Sequence, residues 1–282
     1  IKIIYYNYSS NSAYNNITCN FSELNITVDD GDIFTVDGSE GNNNYESKLR
    51  FTLNIDESTL SAPSAVFKEE IYYWNTSSYF TGSISNSYIS GDIITDNANQ
   101  SNDSFTFSKS IFSESHINII TSNNNTYARI QFDRCSFYDC SISHDGSETV
   151  SSITNSIFTP SLTYTNYSDN DDWHPLFEYC LNAPFYGTGN IAGEPLFVDL
   201  ANGDFSLYPA PPAIDAGDPQ DQNDPDSTRT DMGAIYFDQG GSYQASNISI
   251  QDVADGLRTS ILASGFEFER WAFDESFGER CR

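Results

Sequence analysis

Five segments between Ile84 and Leu181 repeat one pattern: an apolar residue, two variable residues, a small Ser or Cys, one variable residue and usually a second apolar residue. They are Ile84-Ser-Asn-Ser87-Tyr-Ile89, Phe107-Ser-Lys-Ser110-Ile-Phe112, Phe132-Asp-Arg-Cys135-Ser-Phe137, Ile153-Thr-Asn-Ser156-Ile-Phe158 and Phe177-Glu-Tyr-Cys180-Leu-Asn182. The small residues recur at intervals of 23, 25, 21 and 24 residues. Such a period predicts a stacked solenoid, because each unit can bury its apolar residues only against its neighbours.

The repeated segments predict strands rather than helices. Apolar and polar residues alternate in Phe105-Thr-Phe107 and Ile130-Gln-Phe132, and a period of two is that of a strand. Successive coils of such a solenoid stack about 4.8 Å apart, which is the spacing of paired strands. We therefore expect one inward column of Ser87, Ser110, Cys135, Ser156 and Cys180, and a second column, five residues later, of Asp92, Ser115, Cys140 and Ser161.

The composition fits a thin solenoid and narrows the classes of partner. The chain has 282 residues, of which 38% are hydrophobic and 15% aromatic, and we expect the rings to fill the coil interior. It carries 12 basic and 40 acidic side chains, for a formal charge of −28. That charge repels nucleic acid and anionic membrane surfaces, so neither is an expected partner. No segment reaches the roughly 18–20 apolar residues of a membrane span.

Asn-x-Ser/Thr sequons are numerous and predict a glycosylated extracellular protein, secreted or on a cell surface, if the source organism glycosylates. They lie at Asn7, Asn16, Asn20, Asn25, Asn75, Asn99, Asn102, Asn124, Asn166 and Asn247. Many sequons also arise by chance in so Asn- and Ser-rich a chain.

The five cysteines show neither a zinc-like spacing nor a CxxC motif. Cys135 and Cys180 share a predicted column but stand two coils apart, about 10 Å at the strand spacing, whereas a disulfide spans less than about 7 Å between Cα atoms. We therefore expect Cys135, Cys140 and Cys180 to be small, buried and unpaired residues. Cys281 lies beyond the predicted coils and is open to a partner in another chain.

The segment after Pro175 carries the most specific motifs. In order they are Gly187-Thr-Gly189-Asn190-Ile191, Glu194-Pro-Leu-Phe-Val-Asp199, Gly203-Asp-Phe-Ser-Leu207, Pro212-Ala-Ile-Asp-Ala-Gly-Asp-Pro219 and Asp231-Met-Gly-Ala-Ile-Tyr-Phe237. This series resembles the C-terminal end of right-handed parallel β-helix proteins, the pectate-lyase-like proteins with PbH1-type repeats that are found among secreted and surface proteins of microbes. The detailed resemblance covers about residues 150–238.

The resemblance implies an all-β fold, a right-handed parallel β-helix solenoid. Beyond it, helical spacing of apolar residues predicts a short C-terminal tail that contains a helix. We expect residues 1–20 to form an edge strand or cap, residues 21–238 the β-helix, and residues 239–282 the tail. Members of the resembled family range from adhesins and structural modules to polysaccharide lyases, so the fold implies no single activity.

The tail combines a helical stripe with a run of aromatic residues. The stripe is Ile250, Val253, Ala254, Leu257, Ile261 and Leu262, and the rings are Phe266, Phe268, Trp271, Phe273 and Phe277. One interpretation is a cap that folds back on the open coil. The other is an assembly element that binds copies of the same protein, which would join head to tail through the solenoid ends.

An Asp-rich segment, residues 199–238, is the candidate metal site. It contains nine Asp and one basic residue, Arg229, and oxygen ligands in a turn-rich loop are what Ca²⁺ requires. The candidate ligands are Asp215, Asp218, Asp224, Asp226 and Asp231. The alternative is that these carboxylates cap turns and that Arg229 is a buried ion-pair partner.

The sequence indicates a structural or adhesive protein more than an enzyme. A polysaccharide lyase needs a cation to neutralise the uronate and a base to take the proton. The coil region 84–200 supplies only Lys109, Arg129, Arg134 and the three His at 116, 144 and 174. They do not group by register, because Lys109 and Arg134 occupy equivalent positions whereas His116 lies in the next strand. A glycoside hydrolase needs only two carboxylates, which this acidic chain has in excess. A carbohydrate-active enzyme therefore stays as the alternative, with glycans as the expected ligands in both cases.

Overall fold

A computed structural model describes residues 2–4, 15–37, 47–71, 76–97, 102–121, 127–145, 151–167, 174–209 and 212–240. The chain divides into two units, Ile1–Asp238 and Gln239–Arg282. Of the second unit only Gln239 and Gly240 are described, so the predicted tail helix, its aromatic run and Cys281 lie outside the described residues. None of the described segments forms a helix with the length and hydrophobicity that crossing a bilayer requires.

Twenty strands and one short 3₁₀ helix make up the described chain. The strands are β1 (Lys2–Ile4), β2 (Asn15–Ser22), β3 (Asn25–Thr27), β4 (Phe34–Asp37), β5 (Ser47–Asp56), β6 (Thr59–Ile71), β7 (Thr76–Ser85), β8 (Tyr88–Asn97), β9 (Asn102–Ser108), β10 (Ile111–Ser113), β11 (His116–Thr121), β12 (Tyr127–Asp133), β13 (Ser136–Tyr138), β14 (Ser141–Asp145), β15 (Ser152–Thr154), β16 (Ile157–Phe158), β17 (Thr163–Asn166), β18 (Leu176–Glu178), β19 (Phe197–Asp199) and β20 (Asp204–Leu207). The 3₁₀ helix is Leu200–Asn202.

The strands stack as the coils of a parallel β-solenoid, as the repeat predicts. One sheet has seven parallel strands in the order β2-β5-β7-β9-β12-β15-β18. A second sheet of eleven strands follows the path β1-β4-β6-β8-β10-β13-β16, with β3, β11, β14 and β17 paired beside it. Each coil thus contributes one strand to the first sheet and then turns into the second.

The first small column is confirmed. The backbone N–H groups of Ile111, Ser136, Ile157 and Leu181 each donate to the carbonyl of a column residue one coil earlier, at 2.8–3.1 Å. All five column residues are buried. The hydroxyl of Ser156, for example, donates to the Thr154 carbonyl at 2.7 Å and accepts the N–H of Cys135 at 3.1 Å. The position therefore requires a small side chain that both donates and accepts.

Cysteine can replace serine in this column because a thiol is also small and donates, more weakly, to the carbonyl two residues earlier. The Sγ of Cys180 donates to the Glu178 carbonyl two residues earlier, at 3.2 Å, and to the Ile153 carbonyl. Cys135, Cys140 and Cys180 are buried and free, as predicted, and Cys19 is half-buried and also free. Burial raises the pKa of the Cys135 thiol and raises those of Cys140 and Cys180 to about 12.

The second predicted column is wrong in two of its four members. Ser115 and Cys140 align, because Ser141 N–H donates to the Ser115 carbonyl at 3.0 Å. Strand register aligns Gly91, not Asp92, with Ser115, and Leu162, not Ser161, with Cys140. The connection after the first column is one residue shorter in the Gly91 coil and one residue longer in the Leu162 coil, so a constant offset of five residues does not hold.

Aromatic rings fill the coil interior, as the composition predicts. Phe112, Phe137 and Phe158 form one stack, with centroids 5.1 and 4.8 Å apart, and Phe107 stacks on Phe132 at 4.8 Å. These rings are at most 1% exposed. Because their spacing equals that of hydrogen-bonded strands, one identical side chain per coil packs without a gap.

Parallel pairing extends from β1 and β2, which are end strands of their sheets, to a bridge at Ile191, and the first unit of the chain ends at Asp238. β1 already pairs in parallel with β4, and β2 with β5. At the other end, Asn190 closes the first column. Its Oδ1 accepts the Cys180 N–H at 2.9 Å in place of the next serine, and its Nδ2 donates to the Phe177 carbonyl at 3.0 Å. The last parallel bridge joins Leu181 to Ile191.

Residues 194–238 are not another coil but a segment that folds back along the solenoid. β19 and β20 form an antiparallel hairpin. Phe205 of this hairpin is 2% exposed and contacts the rings of Tyr138 and Tyr88, which belong to earlier coils. Farther on, Ala234 N–H donates to the Ser136 hydroxyl at 3.0 Å. The motifs after Ile191 therefore belong to a segment that packs along the side of the coils and contacts several of them.

Candidate functional site

A column of left-handed residues forms one corner of the solenoid, immediately before the first small column. Its members are Glu23, Glu57, Asn86, Lys109, Arg134, Asn155 and Tyr179, with φ between 47° and 55°. The left-handed conformation is costly for side chains other than glycine, by roughly 1–2 kcal/mol. In each coil it turns the backbone so that the next residue enters the core. The corner places Lys109 and Arg134 on adjacent coils, since Lys109 N–H donates to the Asp133 carbonyl at 3.0 Å.

The fold-back segment reaches this corner through residues 218–228, which we name the Asp-Pro loop. It contains two turns, closed by Asp221 N–H to the Asp218 carbonyl (3.1 Å) and Ser227 N–H to the Asp224 carbonyl (2.8 Å). Each turn begins with Asp-Pro, because proline presets the backbone of a turn's second residue and aspartate can cap the following N–H groups. Asp218 does so for Gln220, at 2.8 Å.

Asn155 fastens the Asp-Pro loop to the coils. Its Nδ2 donates to Asp133 Oδ1 (2.9 Å) and to Asp221 Oδ2 (2.8 Å), and its Oδ1 accepts the N–H of Asp218 at 2.6 Å. Its carbonyl accepts the N–H of Gly233 at 2.8 Å. The residue is 1% exposed. One side chain thus fixes the loop over the corner that carries Lys109 and Arg134.

The loop and the corner enclose a groove of about 480 Å³, which we name the corner groove. It is lined by Lys109, Arg134, Gln222, Asn223, Asp224, Pro225 and Ser227. Six of these seven residues are polar or charged, so the groove suits a polar ligand with many hydrogen-bonding groups. Its volume falls within the range of small-molecule sites, about 300–1,000 Å³.

The charges in the corner groove are mixed. Arg134 Nε lies 3.0 Å from Asp133 Oδ2, so its guanidinium is held in place by an ion pair. Burial raises the pKa of Asp224, an effect that the Asp231 N–H and the charge of Arg134 partly offset. Lys109 is exposed at the rim. In a chain of net charge −28, the groove therefore brings together two of the few cationic side chains.

Four of the five candidate calcium ligands accept backbone N–H groups in this structure. Asp231 accepts from Asp215 N–H (2.7 Å) and Phe237 N–H (2.6 Å), and Asp224 accepts from Asp231 N–H (2.7 Å). Asp226 accepts from the N–H and hydroxyl of Thr228, and Asp218 caps Gln220. Asp218 and Asp226 thus cap turns, whereas Asp224 and Asp231 join more distant parts of the segment.

Calcium binding at this segment stays a prediction. Among the described residues, no group of three or more His, Cys, Asp or Glu side chains is arranged to hold a metal ion. Burial also raises the pKa of Asp231 to about 6. Protonation of Asp231 is therefore one way to reduce the buried negative charge at this site.

Arg229 supports the same segment, and no carboxylate in the described part of the chain forms the expected ion pair with it. Its guanidinium donates to the carbonyls of Gly217 and Ala216 and lies 6.0 Å from the centroid of the Tyr179 ring. Gly217 is required beneath it, because a Cβ there would stand 2.4 Å from Thr230 Cγ2. The arginine thus satisfies backbone carbonyls rather than carboxylates.

Sequence reasoning identified Lys109 and Arg134 as equivalent positions but missed the other side of the groove. The three His are not among the groove residues, and His174 stacks on Phe185 at 4.1 Å instead. The two Asp-Pro dipeptides were the available signal, since they predict turns. They do not predict which coil those turns approach.

Four sequons have described surroundings. Asn16, Asn20 and Asn25 are exposed, and Asn166 is partly exposed. The amide of Asn54 donates to Asn20 Oδ1 at 2.8 Å, so Asn20 belongs to a row of polar side chains on the outer face of the seven-stranded sheet. Asn102 lies in β9. The sequons at Asn7, Asn75, Asn99, Asn124 and Asn247 lie outside the described residues, and glycosylation stays a prediction.

No known protein-family profile matches this chain, and no curated protein matches it in sequence.

Proposed function

We propose that this protein is an extracellular structural or adhesive β-helix protein of the pectate-lyase-like, PbH1-repeat type, and that it holds a carbohydrate in the corner groove. The observation that carries the proposal is the groove itself. A rigid loop and two adjacent coils present guanidinium, ammonium, carboxylate, amide and hydroxyl groups to a single space. Sugars offer donors and acceptors in all directions, and such a mixed lining can pair with both.

The rigidity of the groove favours binding. Asn155 fixes the loop, the ion pair with Asp133 fixes Arg134, and the turns of the loop are closed by backbone hydrogen bonds. A preorganised site loses little conformational entropy when a ligand binds. Adhesion through weak sites of this kind gains strength when several copies act together.

Assembly into filaments is the second part of the proposal. β2 is an end strand of the seven-stranded sheet, and its eight residues offer backbone groups with which another strand can pair. Stacking of one solenoid on another without rotational closure would give a filament. The tail, residues 243–282, is the proposed assembly element. Negative-stain microscopy of the native protein tests this part, and particles that remain single at high concentration would contradict it.

A polysaccharide lyase that acts in the corner groove is the second candidate. It is favoured by the presence of Lys109, Arg134 and Asp224 in the same groove. A lyase neutralises a uronate carboxylate with a cation, removes the neighbouring proton and expels the glycosidic oxygen. Lys109 and Arg134 are the residues that would do this here.

One experiment separates the two candidates. Binding of the purified protein to neutral and acidic oligosaccharides is measured by calorimetry, and the same mixtures are followed by the ultraviolet absorbance of unsaturated sugar ends. Because a hydrogen bond to a charged group contributes about 1.5–3 kcal/mol, Arg134→Ala should weaken binding at least tenfold. Arg129→Ala removes one positive charge from an exposed strand position outside the groove and is the matched control.

Binding without product supports the adhesive role, and turnover that Arg134→Ala abolishes supports the lyase. Equal affinities of the Arg134 and Arg129 variants would show that the groove is not the site.

A further inference from the structure

The outer face of strands β11 and β14 carries a serine paired with a histidine. The register places His116 beside Ser141 and Asn118 beside Ser143. Ile117 and Ile142, which alternate with these residues, are fully buried in the core, so the four polar side chains lie on the opposite face of the sheet. None of them belongs to the corner groove.

The hydrogen bonds among these four side chains have one consistent direction. Ser143 donates its hydroxyl proton to Asn118 Oδ1 at 2.9 Å. Its oxygen can therefore only accept from His116 Nε2, which lies at 3.1 Å, and this places the ring proton on Nε2. His116 Nδ1 then carries a lone pair and accepts the hydroxyl of Ser141 at 2.6 Å.

This chain of bonds is the arrangement that activates a serine. A nucleophilic hydroxyl needs a base within about 2.6–3.2 Å, and the base needs a third group that fixes its ring and tautomer. Ser141, His116 and Ser143 occupy these positions in order. In the described coils, Thr52 and Thr81 form a hydroxyl pair of a different kind, in which the hydroxyls bond to each other and to a backbone carbonyl.

The surroundings keep Ser141 accessible. Ser141 and His116 are both partly exposed, whereas Ser143 is 3% exposed and sheltered. Asp92 is next to His116 in the same row, and its Oδ1 accepts the backbone N–H of His116 at 3.0 Å. This bond fixes the backbone of His116 on the preceding coil.

We infer that Ser141 is a catalytic nucleophile for acyl transfer, with His116 as its general base and Ser143 and Asn118 as positioning residues, and that the substrate class is small, solvent-accessible carboxylic esters. This activity goes beyond the structural or adhesive role and uses a separate site. Ser141 Oγ attacks the ester carbonyl while His116 Nδ1 takes its proton. The C–O bond to the alcohol then breaks, and His116 returns the proton to the departing alkoxide.

Water completes the cycle. It attacks the acyl-Ser141 ester with His116 again as the base, which releases the carboxylic acid and restores the serine. The N–H of Ser141 donates to the Ser115 carbonyl at 3.0 Å, so it does not stabilise the developing oxyanion. One missing oxyanion donor lowers turnover by about 10²–10³. We therefore expect slow hydrolysis and rapid covalent labelling by comparison.

Two assays on the full chain test the inference. The first is labelling with a fluorophosphonate probe, with the modified residue identified by peptide mass spectrometry. The second is hydrolysis of a nitrophenyl acetate ester by the unlabelled protein. The probe should modify Ser141. Ser141→Ala should abolish labelling, and His116→Gln should reduce it at least a hundredfold, because the serine loses its base. Ser152→Ala, a partly exposed strand serine on the other sheet, is the matched control and should label as the wild type does.

Ser143 requires a variant that separates positioning from folding. Ser143→Ala should slow labelling, whereas Ser143→Thr keeps the hydroxyl and should restore most of the rate, with melting curves that show both proteins folded. The inference is overturned if the wild-type protein is not labelled at Ser141. It is also overturned if His116→Gln is labelled as fast as the wild type.

Discussion

Replacing Asn155 by alanine should release the Asp-Pro loop from the coils. The change removes three hydrogen bonds, to Asp133, Asp221 and Asp218, two of them with carboxylates. Hydrogen bonds to charged groups contribute about 1.5–3 kcal/mol each and neutral ones about 1 kcal/mol. Alanine must also adopt the left-handed conformation, with φ at 48°.

Asn86→Ala is a matched control for this substitution. Asn86 occupies the same corner position in an earlier coil, also with φ at 48°, and its Nδ2 donates to Asp56 Oδ1 at 2.9 Å. Both variants therefore pay the backbone penalty and lose a bond to an aspartate. Only Asn155→Ala loses the second carboxylate and the Asp218 N–H, so its free energy of unfolding should fall by about 3 kcal/mol more.

Thermal and urea unfolding, followed by circular dichroism, measure the difference. For a domain of about 240 residues, 3 kcal/mol corresponds to a melting temperature lower by roughly 6–12 °C. Because solenoids can unfold in parts, limited proteolysis with mass spectrometry should also show cleavage within residues 212–238. Equal melting shifts for the two variants, with that segment still protected, would refute the role given to Asn155.

Three further predictions concern the column, the carboxylates and calcium. Cys180→Ser should change the free energy of unfolding by less than about 1 kcal/mol, whereas Cys180→Val should lower it by about 1–3 kcal/mol because the Glu178 carbonyl loses its donor. Urea unfolding measures both changes, and equal losses of stability would contradict the role of hydrogen bonding in the column. Burial raises the folded pKa of Asp231 to about 6 from the usual 3.8, so protonated Asp231 stabilises the fold fully below the unfolded pKa, and this contribution is lost as pH rises through about 6. The melting temperature of the wild type relative to Asp231→Asn should therefore fall from about pH 4 to about pH 7, and a constant difference would contradict the shift. If the Asp-rich segment binds Ca²⁺, chelation should lower the melting temperature and excess Ca²⁺ should restore it, whereas no change would leave the carboxylates as turn caps alone.

The repeat in the sequence was sufficient to predict the solenoid, because stacked coils place the same position in the same environment every time. Ser87, Ser110 and Ser156 recur since the column needs a small group that donates to one carbonyl and accepts one N–H. The thiols of Cys135 and Cys180 also donate to the carbonyl two residues earlier. Each repeat therefore contains the small residue that this column requires.

Offsets between columns were harder to predict. The spacing from Ser110 to Ser115 was extended to all coils, but the Gly91 coil uses a shorter connection and the Leu162 coil a longer one. A connection on the surface can gain or lose a residue at little cost. Only the pairing of the strands that follow shows which residue enters the core.

The corner groove depends on contacts that no local pattern contains. The Asp-Pro dipeptides fix two turns, but the position of those turns depends on Asn155, which lies 63 residues before Asp218. His116 and Ser141 are likewise unrelated in sequence and become neighbours because the strands pair in register. The sequence by itself thus determined the coils, their core and their turns, since these follow from periodicity and side-chain size. Where the last segment folds back, and which polar side chains meet as a result, only the tertiary structure decided, because those contacts join residues that are brought together by stacking.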